Sequence, residues 1–335
     1  MERILLGHGA GGKLMHNLIK EMFIKAFGNP ALNRLDDGAV IRMSSGERIA
    51  CSTDSYVVDP VFFRGGDIGR LSVCGTVNDL SMCGARPLFI TLALIIEEGF
   101  PVSDLERISL SAAKTAAEAG VKVVTGDLKV VPKGKVDKIF TNTSGIGTVK
   151  KGVDVSGSNA GPGDSVILSG FMGDHEIAVL SGRAGFDLSV KIKSDCQPLN
   201  KIVQKILCLP EAVRCLRDPT RGGLATTLNE ICVSSNAGME IDEALVPVRS
   251  AVRSACGMLG FDPFYLANEG KFAAIVKEKY AGRILRIIRA EKEGRDAAVI
   301  GRVVNTHRGE VILRTRSGGR RILGMLAGEQ LPRIC

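Results

Sequence analysis

Apolar residues stand at positions 14, 15, 18, 19, 22, 23, 26 and 27. That spacing follows the helical period and predicts a helix over Leu14–Phe27. Short apolar runs between turn residues then predict strands at Ala39–Met43 and Arg48–Ser52. Asp67–Met82 is rich in small residues and reads as a helix with Asp67 at its N-cap. Pro87–Ile96 is nearly all apolar and reads as a buried strand. Ser103–Ala119 is amphipathic, with Ser103 as the expected cap, Glu106 three residues on and Gly120 closing it. Strands at Val121–Thr125 and Lys138–Val149 complete this half.

From Lys150 to Asp164 the periodicity stops and Gly, Ser, Asn and Pro take over. This stretch is the expected domain junction. Beyond it a strand is predicted at Ser165–Ser169 and a helix from about Asp174. Further helices are predicted near Leu199–Leu207, Gly223–Ser234, Ala251–Leu259 and Tyr280–Glu291. Further strands are predicted near Phe272–Val276, Ala298–Val304 and Val311–Thr315. Strands interleaved with helices on this scale imply two domains of α/β (α+β) class. The expected division is 1–150, 151–323 and a tail, 324–335, that ends on Cys335. Gly324 and Gly328 loosen that tail, and Pro332 stiffens its last residues. By itself it reads either as a frayed terminus whose last residue happens to be Cys or as a thiol on a movable arm.

Composition narrows the class. With 335 residues, 45% of them hydrophobic and 24% charged, the chain is a globular protein. No leader is expected, because Met1-Glu-Arg-Ile-Leu-Leu runs straight into a Gly-rich loop. The longest apolar run is too short to span a bilayer, so no membrane role is expected. Nine cysteines without a Cys-x-x-Cys pair suit a reducing cytoplasm. The net charge of +8 is concentrated near the end, where residues 271–335 hold 15 Lys/Arg and 6 Asp/Glu. Without Trp, and with 4% aromatic residues, no base-stacking surface is expected, so nucleic acid is not an expected partner. The basic end is a solvated face that could steer an acidic partner.

The first chemical signal is Gly7-His-Gly-Ala-Gly-Gly-Lys13. It follows the P-loop pattern until Leu14 replaces the Ser/Thr whose hydroxyl would bind Mg²⁺. What remains is either an anion cradle from Gly11, Gly12 and Lys13 at a helix start or a flexible N-terminal loop. A metal must then be held elsewhere. Carboxylates in short polar turns are the candidates: Asp36-Asp37, Asp54, Thr76-Val-Asn78-Asp79 and Thr125-Gly126-Asp127. Each sits in apolar surroundings, where a carboxylate is costly unless paired or bound to a ligand. Together they favour a Mg²⁺–nucleotide site.

Those aspartates resemble the ATP-binding superfamily of aminoimidazole ribonucleotide synthetase and selenophosphate synthetase. Longer stretches resemble one branch of it, the HypE carbamoyl dehydratases of hydrogenase maturation. These are Thr53-Asp-Ser-Tyr-Val-Val-Asp-Pro60, Gly65-Gly-Asp-Ile-Gly69, Cys74-Gly-Thr-Val-Asn-Asp-Leu80, Arg217-Asp-Pro-Thr-Arg-Gly-Gly-Leu-Ala225, Asn268-Glu-Gly-Lys271 and Pro332-Arg-Ile-Cys335. Leu128 stands where that pattern has Thr.

The resemblance implies a two-domain architecture whose N-terminal sheets pair across a homodimer, with a flexible tail. It implies that Cys335 is carbamoylated by HypF, that ATP drives dehydration of the S-carboxamide to an S-cyanide, and that cyanide passes to iron on HypC–HypD for [NiFe] hydrogenase. It places Glu269 and Lys129 at the tail pocket, either one the proton acceptor. Asp37, Asp54, Asp79 and Asp127 are the expected Mg²⁺ ligands, and Asp218 and Arg221 help hold phosphates. His175 is a weaker candidate. Two alternatives stay open: a synthetase of the same superfamily acting on a small molecule, and a thiol scaffold without ATP hydrolysis.

Overall fold

The computed structural model describes residues 3–183, 191–328, 331 and 333–335. After a 3-10 turn at Leu6–Gly9 the chain becomes helical as α1 (Lys13–Leu18), a π turn (Ile19–Phe23) and α2 (Ile24–Phe27). The predicted helix is present, yet none of its residues is buried. Met22, Phe23 and Phe27 stay exposed, so this apolar stripe is not a core stripe of the chain's own fold.

β1 (Ala39–Arg42) and β2 (Arg48–Tyr56) form a hairpin, and β3 (Phe62–Phe63) with β4 (Gly66–Asp67) a small ribbon. β2 runs four residues past its expected end, so Asp54 lies within a strand. α3 (Ile68–Met82) starts where Asp67 caps it by accepting the Arg70 N–H at 3.0 Å. Its small residues let it be buried almost all round. At Gly75 an added Cβ would lie 2.2 Å from the Tyr56 hydroxyl, so only glycine fits.

β5 (Ala85–Glu97), α4 (Val102–Ala119), β6 (Lys122–Val131) and β7 (Ile139–Val149) follow. α4 corrects one expectation. Pro101, not Ser103, occupies the N-cap, and its carbonyl accepts the Asp104 and Leu105 N–H groups. Gly120 closes the helix in the left-handed region, as expected. The sheet order is β1-β2-β7-β5-β6, antiparallel except for β5 with β6. α3 and α4 cover one face. On the other, Phe89, Ile95 and Ile146 are exposed, and edge strand β6 is exposed along almost its whole length.

The second half contains β8 (Ser165–Leu168), α5 (Asp174–Leu180), α6 (Asn200–Ile206), β9 (Val213–Arg217), α7 (Gly223–Ser235), β10 (Gly238–Asp242), α8 (Ser250–Leu259), β11 (Ala273–Val276), α9 (Glu278–Arg289), β12 (Ala298–Val304), β13 (Val311–Arg314) and β14 (Arg320–Ile322). Its sheet order is β14-β13-β10-β12-β8-β11-β9. β8 and β11 are buried at every position and read in sequence as plain apolar runs. β9, β10 and β14 were not expected, since each is short and carries charged residues. One core cluster joins the halves: Ala50, Leu80 and Met82 pack with Ile202, Val203 and Ile284. No helix among the described residues is long and apolar enough to cross a membrane.

The tail runs back into the cleft between the halves. Tyr265 donates its hydroxyl to the Gly324 carbonyl at 3.0 Å, and the Lys13 N–H donates to Leu326 at 2.9 Å. Pro332, the expected stiffener, lies outside the described residues.

Candidate active site

The last residues of the tail are gripped by their backbone. The Asp59 and Val57 N–H groups donate to the carbonyls of Arg333 and Cys335, each at 3.1 Å. Arg183 Nη2 donates to the Arg333 carbonyl at 2.7 Å. His175 Nε2 lies 3.0 Å from the Ile334 carbonyl, and its Nδ1 lies 2.8 Å from Ser194 Oγ. Burial pushes this imidazole towards its neutral form, in which one ring N–H donates to the tail. Ile334 is buried in an apolar cluster with Val58, Ile68 and Cys196. The Cys335 thiol is thereby held in the cleft, where burial pushes its pKa up and Arg221 opposes that.

Beside the thiol lies a cavity of ≈ 270 Å³. Its walls include Asp36, Asp37, Asp54, Asp79, Asp218 and Glu269, with Arg217 and Arg221 as cations. β2 supplies Asp54, α3 supplies Asp79, and the loop after β9 supplies Asp218 and Arg221. Asp79 accepts a hydrogen bond from Ser52 Oγ at 2.7 Å. Burial raises its pKa well above the usual carboxylate range, and the charges of Asp218, Asp54 and Asp37 add to the effect. Burial likewise pushes Asp218 up to about 7 and raises Asp54 and Glu269. Arg217 Nη1 pairs with Asp37 at 2.8 Å and Glu230 at 3.2 Å. The second Asp37 oxygen is buried without a hydrogen-bond partner. Arg221 approaches Asp54 at 3.8 Å. Carboxylates thus crowd this wall, several with raised pKa values, and one Asp37 oxygen there has no hydrogen-bond partner.

Two family descriptions match the chain: AIR synthase related protein, N-terminal domain, over residues 35–149, and AIR synthase related protein, C-terminal domain, over residues 161–314. Carbamoyl dehydratase HypE of Cupriavidus necator is 50% identical over 333 residues, covering 99% of this chain and 95% of that protein. The chain belongs to the HypE family of carbamoyl dehydratases. A crystal structure of hydrogenase maturation protein HypE in complex with ATP is 48% identical, with a TM-score of 0.83 over 99% of this chain and 100% of the other. HypE in a HypE–HypF complex is 49% identical, with a TM-score of 0.87 over 92% and 99%.

Against the expectations for a HypE family member, the cavity gathers Gly11, Asp36, Asp37, Asp54, Asp79, Asp218, Arg221, Glu269 and Cys335. Other expected residues lie elsewhere. Asn78 is buried, and its amide holds the Gln197 and Glu269 carbonyls and the Leu199 N–H. It fixes the Glu269 loop and does not line the cavity. Asp36 lines the cavity but is engaged by Ser156 Oγ, the Gly157 N–H and Arg34.

Of the cradle expected at Gly11-Gly12-Lys13, Gly11 lines the cavity, while the tail covers Gly12 and the Lys13 N–H. The Lys13 N–H is taken by Leu326, and an added Cβ at Gly12 would lie 2.1 Å from the Leu326 carbonyl. Gly126, Asp127 and Lys129 sit on exposed β6, away from the cavity. There Lys129 Nζ bonds both Asp127 oxygens at 2.8 Å, which lowers the Asp127 pKa. Among the described residues no three His, Cys, Asp or Glu side chains form a ready metal-binding group.

Sequence reading missed Arg217, Glu230 and His16, which line the same cavity. Arg217 opens the Arg217–Ala225 stretch, but its ion pair with Asp37 crosses 180 residues of chain.

Proposed function

We propose that this protein is an ATP-dependent carbamoyl dehydratase that converts an S-carboxamide on its own Cys335 into an S-cyanide. The observation that supports this best is the Cys335 thiol docked against an acid-lined cavity with Arg217 and Arg221 in its wall. In this reading HypF loads the carbamoyl group and HypC–HypD receives cyanide for the iron of [NiFe] hydrogenase. The tail leaves the cleft to be loaded, returns for dehydration and leaves again to deliver. The working division is a nucleotide-binding and dimerisation domain at 1–150, a second α/β domain at 151–323 and a movable tail at 324–335. Nine free cysteines suit a cytoplasmic setting.

A carboxamide oxygen is a poor leaving group, and ATP supplies the phosphoryl group that turns it into phosphate. Arg221 holds phosphate charge near Cys335, and Arg217 keeps Asp37 and Glu230 in place. Glu269 accepts an amide proton. The donor set suits Mg²⁺, which is held by carboxylates together with phosphate oxygens and water and not by an all-protein cage. Asp37, Asp54 and Asp79 would hold it, and its charge would offset that of the phosphates.

The open face of the first sheet supports a homodimer, since Phe89, Ile95 and Ile146 are exposed there. Gly126, Asp127 and Lys129 would then reach the nucleotide from a second copy. The test is mass spectrometry of the tail peptide after incubation with HypF, carbamoyl phosphate and ATP. An S-cyanide mass on Cys335 is expected. A carboxamide that persists with ATP and Mg²⁺ present would refute the reading.

A further inference from the structure

Turning S–C(=O)–NH₂ into S–C≡N takes two protons from one nitrogen. The first leaves as the oxygen bonds phosphorus, giving a C=N–H group. The second leaves as the C–O bond breaks, with that electron pair going to phosphate. The N–H pair then becomes the third C–N bond. One carboxyl group holds one proton, so in a closed site Glu269 accounts for only one of them.

A second, smaller cavity of ≈ 100 Å³ also reaches the thiol, lined among others by Ser55, Glu176, Arg221, Tyr265, Ala267 and Cys335. Cys335 and Arg221 belong to the walls of both cavities. Glu176 comes from α5, is 3% exposed, and its Oε2 accepts the Ala267 N–H at 2.6 Å. That N–H lies two residues before Glu269, so the same carboxylate steadies the Glu269 loop. The charged and titratable groups around it are Arg183, Cys256 of α8, Tyr265, Arg221 of the loop after β9, and Arg333 and Cys335 of the tail.

We infer that Glu176 takes the second amide proton from the smaller cavity as the nitrile forms. This rests on the dehydratase reading above. Burial pushes the Glu176 carboxyl up to about 7, with the Ala267 N–H and Arg183 opposing the shift. A group with that pKa is ionised often enough to accept a proton at neutral pH and basic enough to keep it.

Glu176→Gln separates this role from support of the loop. The glutamine oxygen still accepts the Ala267 N–H, but the side chain cannot take up a proton. Cys335 is carbamoylated with cyanate, ATP and Mg²⁺ are added, and S-cyanide on the tail peptide is followed by mass spectrometry from pH 6 to pH 8.5. The wild-type rate is expected to rise with pH through about 7 and level off. The variant is expected to be slower by about 10²-fold, typical of a lost general base, and to show a shallower limb, since Asp218 and Glu269 still titrate there. ATP affinity, measured by calorimetry, stays at the wild-type value. A variant at the wild-type rate, or a slower one whose limb is as steep as that of wild type, overturns the inference while leaving the dehydratase reading intact. Wild-type protein that forms no S-cyanide sinks that reading itself.

Discussion

The Glu176 carboxyl also makes a prediction that needs no substrate. Burial moves its pKa from 4.5 to about 7 in the folded protein. The folded state therefore favours the protonated acid, and the unfolded state ionises first. The contribution of this group to stability is fully present below about 4.5 and is lost as pH rises through about 7. At about 1.4 kcal/mol per unit, the loss is about 2 kcal/mol at pH 6 and about 3 kcal/mol at pH 8. Glu176→Gln removes the titration and keeps an acceptor for the Ala267 N–H.

The assay is urea unfolding of both proteins at half-unit steps from pH 4 to pH 8. The difference between the two curves isolates this group, because every other buried carboxyl titrates in both. The variant is expected to gain on wild type by about 3 kcal/mol across that range, whatever constant offset the amide introduces. A flat difference would mean that Glu176 is ionised at its ordinary pKa, and its case as a proton acceptor near neutrality would fall with it.

Three further outcomes are expected. Asp54→Asn should abolish Mg²⁺-dependent ATP turnover, read by phosphate release, because it removes a proposed metal ligand; wild-type turnover would remove Asp54 from the site. Mixing Asp54→Asn with Asp127→Asn protein should restore turnover that neither shows alone, since a mixed dimer keeps one intact site; no recovery after subunit exchange would argue against Asp127 acting from a second copy. His175→Ala should speed alkylation of Cys335 on the order of tenfold relative to exposed Cys208, matching one lost net hydrogen bond to the tail; unchanged labelling would show that His175 does not hold the tail.

What was legible in the sequence follows from how far each signal reaches. α3 and α4 were placed within a residue or two because their patterns and closing groups are local: Asp67 caps α3 and Gly120 ends α4. Short strands such as β9 carry no such pattern, and pairing with β11 alone makes Val213–Arg217 a strand. At the site, Asp37, Asp54 and Asp79 stood out because a carboxylate in apolar surroundings is locally anomalous. Asn78 looked the same from sequence, but its partners lie 119 and 191 residues away and make it a brace for the Glu269 loop.

Glu176 shows the limit most clearly. It sits beside His175 on a buried helical turn, and sequence gives that glutamate no more weight than any other. Its importance arises only because the tail returns across more than a hundred residues to set Cys335 in the same cavity. The chemistry then constrains what the fold has gathered. Loss of two protons from one nitrogen calls for two acceptors, and two buried carboxyls, Glu269 and Glu176, line cavities that meet at the thiol. The Ala267 N–H ties Glu176 to the Glu269 loop, so the two acceptors are positioned together. A substitution that loosens that tie without removing either carboxyl, such as Glu176→Asp, should therefore slow both proton transfers, whereas Glu176→Gln should slow only the second.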